Sequence, residues 1–544
     1  MKHILLTAMG GVLSILPVVA TDFSYEYEGQ TLNYTIIDED ARTCMTKAGY
    51  INPASSATTA GNNVSGEIMI PSVAKDGDKE YTVVSIGEYS FYKNTGLTSV
   101  LVPPSVTSIE SDAFSGCSGI LKAAYPETIG RDICMHYITY SPDDALIENG
   151  ILYSDSNKSG ILFVPISLSG HFAVPETVSS IGKYAFRGCA ELTSIDIPDA
   201  VTTIGNSAFY ECSGLTSVEI PNSVAEIEYG AFYSCTGLRS LDLGNSVTSI
   251  GDRAFYNCSG LASVVIPNSV TEIGSSVFEK CTGLVSVDID FSSELKKIGS
   301  YSFSGCINLK SLLVPPSVSY IGQYAFSSCN RLKIAYPKGL YNISGYVAIS
   351  YDPQKVAAEN GCLYSTDKTV LYFVPSDVSG NLTIPNTVTI IGRYALNSCN
   401  KITSVEIPDK VTDIGEYSFE GCSSLTSLTI PDSVTKIWEG AFRGCMGLKS
   451  VLIGKSIKEI GILAFRDCSS LLKAAYPNTI SNSPFSSKID YDPNDSEIDN
   501  GILYGKNKTE ILFVPLDLSG HFAVPETVSS IGKYAFRGCA ELTS

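Results

Sequence analysis

Histidine and basic side chains are scarce in this 544-residue sequence. Only four histidines are present; His3 lies in the apolar N-terminal segment, and His171 and His521 occupy one position of a duplicated segment. Few candidates therefore exist for a histidine-based catalytic triad. The 37 basic residues are outnumbered by 56 acidic ones, so the formal net charge is −19. Because phosphate binding requires clustered lysine and arginine, this balance argues against nucleic acid or an anionic membrane surface as a partner.

Motifs that carry catalytic or metal chemistry are also missing. The sequence has no Cys-x-x-Cys pair for a zinc site and no Gly-x-Ser-x-Gly for a nucleophile elbow. The tripeptide Gly454-Lys455-Ser456 resembles the end of a phosphate loop, but Lys449 stands where the first glycine of that motif belongs. We therefore expect a protein that is not an enzyme and that has no cofactor.

Only one apolar run is long enough to consider as a membrane or export segment. Lys2 and His3 precede an uncharged stretch over 4–19, and Val18-Val19-Ala20 supplies the small residues that signal peptidase requires. Residues 1–20 are thus predicted to be a signal peptide, and a membrane anchor is the alternative. No second run follows, so the mature chain is expected to be exported and to contain no transmembrane segment.

A phenylalanine that recurs every 23 residues decides the architecture. It marks four runs of coils with a constant step, and Leu396 occupies the phenylalanine slot in the fourth: Phe91 and Phe114; Phe186, Phe209, Phe232, Phe255 and Phe278; Phe303 and Phe326; then Leu396, Phe419, Phe442 and Phe465. The step from Phe278 to Phe303 is 25 residues, because two residues are inserted near Phe291-Ser292-Ser293. Stacked coils of this kind bury one continuous core, which no single coil could do alone.

One coil shows how the repeat is expected to fold. Leu215, Val218 and Ile220 point inward from a short first strand, and a Pro-Asn-Ser turn follows because proline cannot extend a central ladder. Val224 and Ile227 then enter the core from a second extended piece. Successive strands are expected to lie parallel, about 4.8 Å apart.

Three cassettes interrupt the coils, at about 120–170, 332–380 and 472–520. Each begins with Ala-Tyr-Pro and later carries Asn-Gly, a short apolar run, a polar stretch and a second apolar run that ends in Phe-Val-Pro. This pattern predicts a β-hairpin in every cassette.

The 23-residue phrase L-T-S-V-x-I-P-x-S-V-T-x-I-G-x-x-A-F-x-x-C, from Val83 to Ser544, resembles the BspA-like subfamily of leucine-rich repeats. The predicted fold is a β-rich, α/β-type leucine-rich-repeat solenoid of 23-residue coils with parallel short strands, interrupted by the three hairpin-containing cassettes. The resemblance also implies an exported surface protein of the kind found in gut and oral Bacteroidetes. Family members with assigned roles are adhesins that bind host matrix proteins or mediate coaggregation.

The sequences at the two ends of the repeat array lead to two further predictions. Residues 21–82 depart from the repeat but alternate apolar and polar positions, so we expect an N-terminal β cap before the solenoid at 83–544. The segment 168–194 reappears unchanged as 518–544, and the sequence stops inside a first strand. We expect from this that the C-terminus is truncated.

Thirteen of the sixteen cysteines follow the phenylalanine slot by three residues, from Cys117 to Cys539. Equivalent positions in stacked coils share one orientation, so disulfides between neighbours would require distortion. Reduced, buried thiols are the prediction, with Asn94 in the same slot of the first coil. A disulfide among Cys44, Cys134 and Cys362 remains an alternative.

The outward positions of the first strands are the candidate binding residues. One column is nearly all serine, and the next is rich in carboxylates. The candidate residues are Ser194, Ser217, Ser240, Asp196, Glu219, Asp242, Asp288 and Glu406. Carboxylates in consecutive coils would lie about 5 Å apart, close enough to raise one another's pKa or to share a cation. The strip is therefore expected to take a basic protein segment or Ca²⁺, or else to be polar only for solubility.

Tyrosine offers a second candidate surface. Tyr210, Tyr233 and Tyr256 follow the phenylalanine slot on successive coils and could stack on sugars or on a protein partner.

The leading functional prediction is an adhesin or interaction scaffold for a protein on a host or neighbouring cell. The alternatives are a carbohydrate-binding surface protein and a structural spacer of the cell envelope.

Overall fold

A computed structural model describes residues 21–51, 58–59, 61–130, 134–480, 488–516 and 518–543. The predicted signal peptide, and Ser544 at the end of the predicted array, lie outside these ranges. The described chain is nearly all strand, and its only helices are the single 3-10 turns Glu127–Ile129 and Lys506–Lys508. The predicted β-rich solenoid of parallel short strands is confirmed. The chain divides into two compact units, which comprise Met1–Leu261 with Glu272–Thr282, and Ala262–Thr271 with Gly283–Ser544.

Most coils of the first unit have the two expected strands. The first strands are Gly66–Met69, Leu97–Leu101, Lys122–Pro126, Tyr137–Tyr140, Gly170–Ala173, Leu192–Asp196, Ser217–Glu219 and Ser240–Asp242. The second strands are Ser108–Ile109, Ser180–Ile181, Thr203–Ile204, Glu226–Ile227, Ser249–Ile250 and Glu272–Ile273. Equivalent residues of successive coils are partners in parallel ladders, as Ser217 is with Ser240 and Ile227 with Ile250. The inward residues Leu215, Val218 and Ile220 are buried as predicted.

The second unit repeats this arrangement. Its first strands are Ser263–Ile266, Ser286–Ile289, Ser311–Leu313, Lys333–Pro337, Val347–Tyr351, Ser379–Thr383, Lys401–Glu406, Ser427–Ile430, Ser450–Ile453, Lys473–Pro477 and Lys488–Tyr491. Its second strands are Lys297–Ile298, Tyr320–Ile321, Ile390–Ile391, Asp413–Ile414, Lys436–Ile437, Glu459–Ile460 and Ser530–Ile531.

The N-terminal strands pair mostly antiparallel. They are Asp22–Tyr27, Gln30–Asp38, Thr43–Thr46, Tyr50–Ile51, Thr58–Thr59, Val73–Asp76 and Lys79–Ile86. The sheet passes from this segment directly into the coils, because Ser85 and Ile86 pair in parallel with Ser108 and Ile109. The boundary near residue 82 stays a prediction.

Each cassette contains the predicted hairpin, together with one strand more than the sequence indicated. The three sets of antiparallel strands are Leu146–Glu148, Ile151–Tyr153 and Gly160–Phe163; Val356–Glu359, Cys362–Ser365 and Val370–Phe373; Ser496–Asp499, Ile502–Gly505 and Glu510–Phe513. The third strand of each set joins the parallel ladder of second strands, as Gly160 does with Ser180. The cassette therefore replaces a coil without interrupting the sheet.

Phenylalanine rings stack inside the coils. In the first unit the rings of Phe209 and Phe232 are 4.9 Å apart between centroids and inclined by 2°, and those of Phe232 and Phe255 are 5.3 Å apart. All three side chains are fully buried. A parallel stack with this spacing fixes the register of neighbouring coils as well as filling the core.

None of the sixteen cysteines, all of which lie in the described ranges, belongs to a disulfide. Most of the ladder thiols donate a hydrogen bond that the sequence did not indicate. The Cys235 thiol donates to the carbonyl of Phe209 at 3.1 Å, and the Cys445 thiol to that of Phe419 at the same distance. Asn94, which occupies this slot in the first coil, donates from its side-chain amide to the carbonyl of Asn62 at 2.7 Å. A coil thus closes by satisfying the phenylalanine carbonyl of its predecessor.

Every cassette also buries one lysine, a feature that sequence reasoning missed. Lys122, Lys333 and Lys473 are at most 1% exposed. The Lys333 ammonium donates to the carbonyls of Val374 at 2.6 Å and Asn397 at 2.9 Å, and it lies 3.5 Å from the Cys399 sulfur. In an ordinary coil the carbonyl equivalent to that of Asn397 accepts from a main-chain N–H, as Tyr233 does from Glu211. The lysine therefore supplies the donor that the missing turn of the cassette cannot.

Replacing Lys333 with methionine should lower the free energy of unfolding by about 2–4 kcal/mol, because buried carbonyls lose their donor. Urea unfolding followed by circular dichroism measures this loss. Lys355→Met is the matched control, since the Lys355 side chain is 78% exposed and its ion pair with Asp352 spans 3.7 Å. An unfolding midpoint for Lys333→Met equal to that of the control would contradict the assigned role.

Stability should also fall at alkaline pH. Burial raises the pKa of the Cys281 thiol to about 12 and that of Cys329 to about 11. An unfolded thiol ionises near pH 9, so between pH 9 and 11 the unfolded chain binds fewer protons and is favoured. The urea midpoint should be flat below pH 9 and decline above it. The decline should be shallower in the Cys281→Ala, Cys329→Ala variant; equal slopes would refute this origin.

Candidate binding surface

The outward residues of the first strands form the predicted columns. In the first unit Glu219 is the ladder partner of Asp242, and Ser194 is the partner of Ser217. One open groove of about 550 Å³ brings together most of the predicted set, namely Ser194, Asp196, Ser217, Glu219, Ser240 and Asp242. The carboxylates in this groove are solvent-exposed. We call this surface the acidic groove.

His171 also lines the acidic groove, although in the sequence it is recognisable only as one copy of a duplicated cassette residue. It extends the same sheet from the strand Gly170–Ala173. Its Nδ1 lies 3.0 Å from the Ser194 hydroxyl, and its Nε2 lies 3.3 Å from a carboxylate oxygen of Asp196. The ladder register could have revealed it, because His171 stands one coil before Ser194.

The remaining carboxylates of the groove have no lysine or arginine partner among the residues that the structure describes. Asp242 accepts a hydrogen bond from the main-chain N–H of Gly244 at 2.9 Å, which fixes its carboxylate over the following turn. No lysine or arginine lines the acidic groove within the described chain. The groove is therefore free to attract a cationic group from solution.

Calcium is the other ligand that the sequence predicts for the acidic groove. No group of three or more histidine, cysteine, aspartate or glutamate side chains among the described residues is arranged to hold a metal ion. Calcium binding by the acidic groove remains an expectation for experiment.

Asp288 and Glu406 lie elsewhere, each in a cleft of the second unit. The Asp288 cleft has a volume of about 710 Å³ and the Glu406 cleft about 780 Å³. Each cleft is bounded on one side by the Asn-Gly tip of a cassette hairpin, at Asn360-Gly361 and Asn500-Gly501 respectively. The sequence located the column but not the overhanging hairpins, since their approach to the strand face depends on tertiary packing.

The tyrosine column is a stacked ladder. The rings of Tyr210, Tyr233 and Tyr256 are 4.4 Å and 4.5 Å apart between successive centroids and inclined by less than 10°. The Arg187 guanidinium covers the free face of Tyr210 at 3.9 Å, and the Lys280 ammonium lies 5.2 Å from the ring centroid of Tyr256. The ring faces are thus already occupied, which leaves only ring edges and hydroxyls for a ligand.

The coils, their parallel ladders and their outward polar columns define a leucine-rich-repeat protein. The family model for BspA type leucine rich repeat regions, in six copies, matches residues 74–133, 166–285, 286–352, 373–490 and 517–544. The chain belongs to the BspA-type leucine-rich-repeat family. No curated protein is similar to it.

Three solved structures illustrate the similarity. A leucine-rich repeat protein from Bacteroides ovatus is 24% identical, over 82% of this chain and 94% of its own, with a TM-score of 0.34. A leucine rich cell surface protein from Faecalibacterium prausnitzii is 22% identical, over 85% and 96%, with a TM-score of 0.26. The T. pallidum Leucine Rich Repeat protein is 33% identical, over 32% and 85%, with a TM-score of 0.30. The family assignment rests on the repeat itself rather than on these superpositions.

Membership of this family indicates a general function for the chain. Leucine-rich-repeat surface proteins of this family are typically binding scaffolds rather than enzymes, with a role in protein interaction. In the portion of the chain described, no helix combines the length and apolar character needed to cross a bilayer.

Proposed function

We propose that this protein is exported through its N-terminal signal peptide and acts at the cell surface as an adhesin or interaction scaffold. Its partner is a protein on a host or neighbouring cell. The observation that carries the proposal is the convergence of Asp196, Glu219 and Asp242, with their serine neighbours, on one open groove.

The composition of the groove favours a protein ligand with positive charge. Exposed carboxylates without a lysine or arginine partner attract basic segments, and serine hydroxyls can bond to a peptide main chain. Each such contact is weak in water. Repetition along successive coils lets several weak contacts act together on one ligand, which is the usual source of avidity.

Glycan binding is the second candidate. Serine and carboxylate side chains also hydrogen-bond sugars, but the stacked tyrosines offer no free ring face for a sugar to cover. A protein ligand therefore accounts better for the surface. A purely structural spacer would bind neither class.

Neutralising the groove should abolish binding to a basic partner. We expect Asp196→Asn, Glu219→Gln, Asp242→Asn, combined in the mature chain, to lower affinity for immobilised host matrix proteins by at least about tenfold. Surface plasmon resonance at two salt concentrations measures the affinity, and a calcium titration tests the metal expectation.

The matched control removes the same charge elsewhere in the first unit. Glu176, Glu191 and Glu226 are exposed and lie away from the groove, so converting them to glutamine should leave affinity nearly unchanged. If both triple variants lost affinity equally, the change in net charge alone would explain the loss. Binding only to a glycan array would favour the second candidate, and no binding to either array would favour the spacer.

A further inference from the structure

The two-residue insertion near Phe291 builds a cleft that differs from the acidic groove. The insertion places Phe291 beside the second cassette, where its ring centroid lies 6.0 Å from that of Tyr351. The side chain is half-buried against a small cluster that includes Leu363 and Phe373. Phe291 thus extends the apolar base of the cassette into the Asp288 cleft.

The strand column also changes character at this cleft. Val265 and Asp288 are ladder partners, and the register of Ser286 with Ser311 places Leu313 beside Asp288 on the other side. Val265 is 62% exposed, so its side chain faces the cleft rather than the core. The column is acidic in three consecutive coils of the first unit, whereas here one carboxylate stands between two apolar side chains about 5 Å away.

The hairpin closes the opposite side of the cleft with a rigid edge. Asn360 and Gly361 have φ values of 50° and 73°, as a two-residue turn of the primed type requires. Beside this turn Asp377 faces the same space as Asp288.

The carboxylates of the cleft differ in their partners. The Glu359 carboxylate pairs with the Lys368 ammonium at 2.6 Å, and that of Asp290 accepts the N–H of Ser292 at 2.7 Å. Neither Asp288 nor Asp377 has an ion pair among the residues that the structure describes. The cleft therefore combines two unpaired carboxylates with an apolar base.

We propose that this cleft binds an extended segment of a partner protein through one arginine or lysine whose neighbours are apolar. Asp288 takes the cationic group, while Val265, Leu313 and Phe291 contact the aliphatic stem and the adjacent side chains. The serine hydroxyls of the strands Ser263–Ile266 and Ser286–Ile289 are placed to bond the main chain of the segment.

The charge and the shape of the cleft together favour a basic side chain with apolar neighbours over a metal ion or a sugar. A metal ion needs several oxygen ligands arranged around it, and no group of three or more histidine, cysteine, aspartate or glutamate side chains among the described residues is arranged in that way. A free sugar has no apolar stem for Val265 and Leu313 to contact. A long basic side chain has an apolar stem and a charged end. The cleft offers apolar side chains for the stem and the Asp288 carboxylate for the charged end. The inference rests on the proposed function and names the chemistry of one partner segment.

Fluorescence anisotropy of the full chain with a labelled heptapeptide tests the proposal. The probe carries arginine flanked by two leucines in a glycine–serine background; its control carries neutral citrulline in place of arginine. The arginine peptide should bind saturably and at least about tenfold more tightly than the citrulline peptide. Asp288→Asn should remove that difference, whereas Asp242→Asn in the acidic groove should preserve it.

The Val265→Asp variant tests whether the peptide needs the apolar contacts of the cleft or binds only through opposite charge. The change adds a carboxylate but removes an apolar contact, so the cleft should bind the arginine peptide several-fold more weakly. Tighter binding by Val265→Asp, wild-type binding by Asp288→Asn, or no saturable binding of the arginine peptide would each overturn the proposal. Because matrix-protein binding is measured separately with the acidic-groove variant, failure of the peptide assay leaves the proposed function standing.

Discussion

Within each unit a coil leaves the carbonyl of its phenylalanine facing the next coil, and the cysteine thiol of that coil donates to it. The main chain repeats the same contact, since the N–H of Phe209 donates to the carbonyl of Ala231 at 2.7 Å. The phenylalanine and cysteine are buried in most coils, so the main-chain polar groups beside them are satisfied by a neighbouring coil rather than by water. This requirement, more than apolar burial alone, makes every coil depend on the coil beside it and holds the repeat at 23 residues.

The cassettes show what happens when that neighbour is missing. A hairpin takes the place of the coil that would have supplied the next turn, so carbonyls such as that of Asn397 have no main-chain donor. A lysine from before the hairpin fills the gap, and its ammonium rests over a phenylalanine ring of the cassette at 4.8–5.0 Å in all three copies. Burying a charge is costly unless hydrogen bonds compensate it. In all three cassettes the buried ammonium donates to a carbonyl of the coil after the hairpin, at Ala185, Asn397 and Ala535.

Structural features that follow from the 23-residue period could be predicted from the sequence. The inward positions of Leu215 and Val218, the hairpins and the serine and acidic columns all depend on local alternation and on equivalence between coils. The buried lysines were not accessible, because Lys122 and Lys473 look like ordinary polar residues until their distance to a coil about 62 residues later is known. Likewise the sequence placed Asp288 in a column but could not place the hairpin tip opposite it.

A strict ladder also explains why exceptions in the columns are informative. Residues inside the coils are fixed by packing, and most outward positions can vary at little cost to stability. Val265 and Leu313 interrupt the acidic column with apolar side chains, and together with the inserted Phe291 they line one cleft. Exposed apolar groups weaken solubility unless something covers them. In a fold that positions side chains so regularly, local departures from the repeat are the places where one member of the family can acquire its own partner.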